Sequence, residues 1–275
     1  MTGTARPSAL PEEIMQDNPK DYSLTLAKGM AILEMFGPGV QSVSLQSAAT
    51  HVGTSRASAR RLILTLVAMG YLDRSGSGTY VLTAKSLGIS RAFLAGNSIL
   101  SILAEKVREL AAELDCPCSI VSLSGSEVMF LCRDPSRRVY ASQLALGDRL
   151  PAHASAGGKL LLAMKPDDEI RKWFARYNPQ KLAARTITDA TAMLAEAARI
   201  RAQGYASSDC ELEEGLVSLG LPVRDHLGTP RLSLVVSQFA NHKTSTALVA
   251  QYLDATRAAA EQISVTYADY LRHNA

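Results

Sequence analysis

Three arginines, Arg56, Arg60 and Arg61, stand close together directly after Gly53, Thr54 and Ser55. A guanidinium presents its donors in a planar fork, which matches a phosphate or the O6/N7 edge of guanine. The spacing places all three in the first two turns of a helix. Its buried stripe is formed by Leu62, Ile63, Leu66 and Met69, with Ala59 one turn earlier. Arg56, Ala57, Arg60 and Arg61 fall on the opposite or lateral faces, with Ser58 closer to the apolar side. The chemistry implied is contact with nucleic acid. Residue types alone do not sort base edges from phosphates, although Arg61, followed by the apolar stripe, is expected at the groove edge on phosphate. Gln46, Thr54 and Ser55 are further hydrogen-bonding candidates. Ser58 is expected to pack or to make a short phosphate contact, and Arg74 to meet phosphate.

Specific elements must hold these groups. Leu24, Ala27, Ile32, Leu33 and Phe36 recur at helical steps until Gly37-Pro38-Gly39 stops them. Ser44 caps a second helix carrying Leu45, Ala48, Ala49 and Val52, which ends at Gly53. Thr54 or Ser55 caps the arginine-bearing helix, which Gly70 terminates. The β-prone runs Tyr71–Arg74 and Thr79–Leu82 then flank a Ser75-Gly76-Ser77-Gly78 tip, a hairpin signal. A short helix, a tight turn, an arginine-rich helix and a hairpin form a winged helix-turn-helix, in which the start of the second helix of the pair meets the major groove. A small helical bundle with a solvated basic face would explain any one of these features, but not all of them together.

Composition is compatible with this reading without carrying it. The chain has 275 residues, a formal net charge of +3, and 47% hydrophobic and 20% charged residues, which suits two globular domains. An excess of positive charge that small matters only where it clusters. No stretch reaches the roughly 18 uncharged apolar residues of a membrane helix, so no membrane partner is expected. Residues 1–21 lack the apolar run of a signal peptide and read as a flexible arm of a cytoplasmic protein.

The winged unit is expected over 22–83. A helical connector spans 84–98, and a second domain spans 99–275. Beyond a helix over Ser98–Leu114 the chain alternates. Strands are expected at Ser119–Leu123, Glu127–Arg133, Val139–Leu146, Tyr205–Ser208, Leu216–Val223 and Leu232–Ser237. Helices are expected at Ala156–Met164, at Asp167–Arg176, from Thr188 to Gln203 and over Thr246–Leu271. Mixed strands with helices on both sides make an α/β sheet domain. Within it, His153-Ala154-Ser155-Ala156-Gly157-Gly158 leads straight into a helix. Free amides and small side chains there suit a carboxylate.

Two rival chemistries are present in outline. Cys116, Cys118, Cys132 and Cys210 offer a redox or metal sensor, but Cys116-Pro-Cys118 is a C-x-C without a histidine at zinc spacing, and buried thiols explain it as well. Asp209, Glu211, Glu213 and Glu214 form an acidic cluster that an enzyme acting on a small acid could use. No nucleophile elbow, metal spacing or phosphate loop accompanies it, so no catalytic residue, metal site or cofactor is assigned.

Four segments, in order and spacing, give the sequence its resemblance to the IclR family of bacterial regulators. They are residues 55–62 with Thr65-Leu66 and Gly70-Tyr71-Leu72; Leu150–Lys159 with Leu161-Leu162-Ala163; Gly204-Tyr205-Ala206 with Asp209, Glu211 and Gly215; and Leu221–Asp225 through Gly228. The resemblance runs from about Tyr22 to the C-terminus. It implies an α+β protein with an N-terminal winged helix-turn-helix, a linker helix and a C-terminal GAF-like α/β effector-binding domain. It also implies a homodimer or dimer of dimers on a palindromic double-stranded operator, acting as repressor or activator. Within the family the chain looks most like regulators of aromatic-acid catabolism, so the implied partner is a small carboxylic-acid effector. The resemblance puts Ser155 and Ala156 on the pocket wall, with His153 and Gly157 beside them in the same run. Ser208 or Asp209, Leu216, Ser218 and Ser237 are matched to the opposite side.

Overall fold

The computed structural model describes residues 22–37, 39–135, 144–239 and 244–274. They divide into two compact units, the first ending at Gly96 and the second beginning at Asn97. The arm expected over 1–21 lies outside the described residues.

The first unit contains α1 (Leu24–Leu33), α2 (Leu45–His51), α3 (Arg56–Ala68), β1 (Leu72–Arg74), β2 (Tyr80–Leu82) and α4 (Leu87–Gly96). Ser44 caps α2 in a reciprocal box with Ser47, and Ser55 caps α3. Between them Gly53 takes φ +58°, a left-handed turn that glycine adopts without strain. The amide of Thr54 closes that turn onto the Ala49 carbonyl at 3.0 Å. Ile32, Ala48, Ala59, Ile63, Leu72 and Tyr80 fill the core. Ile32 and Ile63 are fully buried, each worth about 1.5–3 kcal/mol relative to exposure. A bridge between Val43 and Tyr80 ties the hairpin to the segment before α2. The stripe expected along α3 holds at Ala59, Ile63 and Leu66, but Met69 is exposed: at the last turn the helix has passed the edge of its core.

The second unit is built on a six-stranded sheet in the order β5-β4-β3-β8-β7-β6, antiparallel at every pairing. Its strands are β3 (Cys118–Ser124), β4 (Glu127–Asp134), β5 (Arg149–Pro151), β6 (Ala206–Asp209), β7 (Leu216–Arg224) and β8 (Pro230–Phe239). The strand expected at Val139–Leu146 falls mostly outside the described residues, and Leu144–Leu146 is not extended into a ladder. Helices α5 (Ile99–Leu114) and α9 (Ser245–His273) cover one face over Leu103, Val107, Ile120, Leu219 and Leu234. Helices α6 (Ala156–Ala163), α7 (Asp167–Tyr177) and α8 (Ala190–Gln203) cover the other over Val121, Phe130, Leu160, Trp173 and Ile200. Ile102 on α5 is exposed. Asp189, one residue after the expected Thr188, caps α8 by accepting from Ala192 N–H at 2.8 Å.

Every residue of α6 is buried. It lies so close to the sheet that a Cβ at Gly157 would stand 2.7 Å from Val121 and 2.8 Å from Val235. From the sheet side, a Cβ at Gly220 would meet the Ala156 backbone at 3.0 Å. Glycine at both positions is what lets this helix end approach β7 and β8.

Candidate functional sites

In the first unit the four predicted arginines are all exposed: Arg56, Arg60 and Arg61 on α3 and Arg74 on β1. Among the described residues none of their guanidinium groups has an acid or a carbonyl for a partner. The local hydroxyls are engaged instead. Ser55 Oγ accepts from the Ser58 amide at 3.2 Å and donates to Ser58 Oγ at 3.1 Å. Ser58 is therefore exposed and part of the helix cap, and does not pack against the core as its place on the helical wheel implied. Gln46 is exposed on the first turn of α2, and Thr54 is half-buried in the turn. The result is a helix start with unpaired cations, a hydroxyl cap and a hairpin arginine. This is the charge arrangement that releases counterions from a nucleic-acid backbone.

In the second unit the strand register assembles what the sequence only scattered. Ser208 on β6 lies opposite Ser218 on β7, and Ser218 opposite Ser237 on β8. Residues directly opposed in an antiparallel pair share a face, so the three serines form one row across three strands. The row faces α6, because Ser208 Oγ donates to the Ala154 carbonyl at 3.0 Å. Among the described residues the Ser218 and Ser237 hydroxyls make no hydrogen bond. Leu216, two residues from Ser218, is half-buried on the same face. Ser155 caps α6 by accepting from Gly158 N–H at 3.2 Å. Ala156 and Gly157 sit against the sheet as described above. His153 is buried, and its Nε2 lies 2.9 Å from the Gln180 carbonyl, so it pins the segment between α7 and α8. Burial pulls its pKa below the usual histidine value.

Two residues on this face were missed by sequence reasoning. Ser119 on β3 is 1% exposed, and among the described residues its hydroxyl has no partner. Opposite it on β4 stands Arg133, half-buried, with its guanidinium over the Phe130 ring at 5.5 Å. Burial pulls the Arg133 pKa down from its ordinary value. Strand alternation could have placed both on one face, but only the ladder shows that this face lies under α6.

Asp209 goes elsewhere. Adjacent residues in a strand face opposite ways. Asp209 pairs with Arg185 at 2.6 Å on the wall of a cavity of about 240 Å³ at the β6 edge, with Lys159, Glu196, Arg199, Tyr205 and Glu211 also lining it. Lys159 is 1% exposed and held between Glu196 at 3.0 Å and Glu211 at 2.5 Å. Burial raises the Glu211 pKa. Burial would raise Glu196 too, but Arg199 and Lys159 outweigh it and hold it low. This part of the acidic cluster is an ion network with its charges paired, the usual requirement for burying them.

Three of the four cysteines lie away from the α6 face, and Cys210 is half-buried after β6. Cys116, Cys118 and Cys132 are buried in the core under α5 and α9. Burial pushes the Cys118 thiol far up and the Cys132 thiol to about 12, away from the reactive thiolate. Among the described residues no group of three or more His, Cys, Asp or Glu side chains is placed to hold a metal. No single described helix is long and apolar enough to cross a membrane.

A winged helix-turn-helix with exposed arginines, joined to a sheet domain with a row of serines on one face, defines a DNA-binding regulator with a sensory domain. Residues 25–76 match the IclR helix-turn-helix domain and residues 92–265 the bacterial transcriptional regulator IclR C-terminal domain, and the chain belongs to this family. It is 31% identical over 249 residues to the p-hydroxybenzoate hydroxylase transcriptional activator of Acinetobacter baylyi, covering 89% of this chain and 92% of that protein. It is 35% identical over 208 residues to the Pca operon regulatory protein of the same organism, covering 74% of each. Among solved structures it is similar to the inducer-binding domain of the PobR transcription factor from Acinetobacter, a double mutant in complex with 3-hydroxybenzoic acid. That likeness has TM-score 0.54 and 27% identity, and covers 60% of this chain and 96% of the other. The protein is thus an IclR-family transcriptional regulator whose DNA binding is controlled by a small-molecule effector.

Proposed function

We propose that the effector is a small aromatic hydroxy acid bound on the sheet face beside the α6 N-terminus. The observation that carries this is the buried, unpartnered hydroxyl of Ser119, with the Ser218 and Ser237 hydroxyls, which make no hydrogen bond among the described residues, on the same α6 face. An unsatisfied buried hydroxyl costs about 1–3 kcal/mol, and a polar ligand recovers it. Arg133 supplies the cation for a carboxylate, Phe130 and Leu216 the apolar wall, and the serine row the partners for a ring hydroxyl. An apolar pocket with a few placed polar groups is the common form of a small-molecule site. The relatives named for p-hydroxybenzoate and the Pca operon, and the 3-hydroxybenzoate complex, support the aromatic class.

The protein acts by binding and not by catalysis, in the cytoplasm. Two copies read a palindromic operator, each with one recognition helix in a major groove. Leu87, Ile89, Phe93 and Leu94 on the fully exposed α4 give an apolar surface suited to a second copy. Calorimetric titration of the full chain with 3-hydroxybenzoate, 4-hydroxybenzoate and the methyl ester of each tests the effector site. The free acids should bind and the esters should not, and Arg133→Met should weaken the acids by about tenfold or more, the share of a charged hydrogen bond. Equal binding of acid and ester would refute the carboxylate assignment.

A further inference from the structure

The hairpin after α3 leaves and returns at one place, and that place is tied by several independent contacts. The Thr83 amide donates to the Tyr71 carbonyl at 3.0 Å, and its Oγ1 donates to the Gly70 carbonyl at 2.6 Å. The same Oγ1 accepts from the Lys85 amide at 3.2 Å, which starts the single helical turn Ala84–Ser86 leading into α4. Lys85 Nζ donates to the Met69 carbonyl at 2.7 Å and lies 5.0 Å from the centre of the Tyr71 ring. Its stem crosses Gly70, with Cδ 3.7 Å from where a Cβ would stand.

The Met69 carbonyl belongs to the last turn of α3, where acceptors lack helical partners and carry partial negative charge. A lysine there matches the dipole and satisfies an orphan carbonyl. The contrast with the arginines is direct. Arg56, Arg60, Arg61 and Arg74 are exposed with no guanidinium partner among the described residues, whereas the exposed Lys85 side chain is hydrogen-bonded back onto the recognition helix.

We propose that Lys85 is a positioning residue for DNA recognition and makes no phosphate contact. With Thr83 it locks the C-terminal end of the recognition helix to the base of the wing and to the first turn of the connector. The wing and α3 then meet the operator at a fixed angle, and a tilt of the connector reaches α3 through this tie.

The salt dependence of DNA binding separates a positioning cation from a phosphate-binding one. The full chain and its Lys85→Met and Lys85→Arg variants are titrated with an operator fragment from the chain's own upstream DNA between low and moderate salt. Lys85→Met should lower affinity by about two- to fivefold, the effect of a cation at a helix C-terminus. Its slope of log affinity against log salt should equal that of the wild type, and Lys85→Arg should keep wild-type affinity. Thr83→Val, which removes the other half of the tie while keeping every charge, should reproduce the loss with the same slope. A slope reduced by about 0.9 in Lys85→Met would place the ammonium on a phosphate and overturn the proposal. Unchanged affinity in both Lys85→Met and Thr83→Val would overturn it as well.

Discussion

The two units treat their cations in opposite ways. In the winged unit Arg56, Arg60, Arg61 and Arg74 are exposed, and among the described residues none of their guanidinium groups pairs with an acid. In the sheet domain Lys159 is buried between two glutamates, and Arg185, Arg199 and Arg201 each hold a carboxylate. The second arrangement spends charge on holding the fold together, and the first keeps charge available for a partner. The same distinction separates hydroxyls within the sheet domain. Ser155 and Thr186 are committed to caps and turns, while the Ser218 and Ser237 hydroxyls make no hydrogen bond among the described residues. Function is to be sought where polar groups are presented without partners.

The largest effect that tests this contrast is expected at Lys159. Lys159→Met leaves Glu211 buried without its cation and Glu196 with Arg199 alone, and should cost about 3–5 kcal/mol of unfolding free energy. Chemical denaturation of the full chain measures it. Next comes Gly157→Ala, whose methyl group would press on Val121 and Val235. Overpacking of this kind costs about 1–3 kcal/mol, and it should weaken effector binding more than DNA binding, because it shifts the helix end above the serine row. Arg60→Ala inverts the pattern. Stability should stay within about 0.5 kcal/mol of wild type, as for an exposed site without partners. Operator affinity should drop by about 1–3 kcal/mol with relaxed base preference if Arg60 reads a base. If all DNA sequences weaken equally and the salt slope falls by about 1, Arg60 holds a phosphate. Loss of fold stability in Arg60→Ala would break the comparison altogether.

The smallest effect concerns pH. Burial lowers the His153 pKa, so the unfolded chain takes up a proton near pH 6.5 that the folded chain refuses. The unfolded state binds more protons there, and stability falls as pH drops below about 6.5. His153→Gln keeps a donor for the Gln180 carbonyl and should flatten that decline in unfolding free energy measured between neutral and mildly acidic pH. An unchanged pH profile would remove His153 as its source.

How much of this was legible in the sequence follows from the range of the signals. The winged unit is local. Ser44, Gly53, Ser55 and Gly70 mark its turns, and the arginines follow from helical spacing counted within one helix. The errors there are at ends, where Met69 outruns the core and Ser58 is drawn into a cap. The effector site is non-local. Ser208, Ser218 and Ser237 are spread along the chain and become neighbours only through the β6-β7-β8 register. Ser119 and Arg133 carry no motif at all. Their importance comes from the close approach of α6, which Gly157 and Gly220 permit and which no periodicity encodes. The resemblance offers Ser208 or Asp209, and strand alternation separates them: Asp209 follows Ser208 in β6 and faces away from the serine row.

The most direct test of the account is the operator affinity of the full chain, measured by mobility shift with and without 4-hydroxybenzoate, in wild type and in Arg133→Met. An effector acts only by binding one arrangement of the DNA-binding units better than another. The acid should change wild-type affinity by about 5- to 150-fold, the usual span of allosteric coupling, and Arg133→Met should bind the operator like the wild type but no longer respond. An acid response undiminished in Arg133→Met would contradict the proposed site, and a wild-type chain that binds no operator DNA even at low salt would contradict the regulator itself.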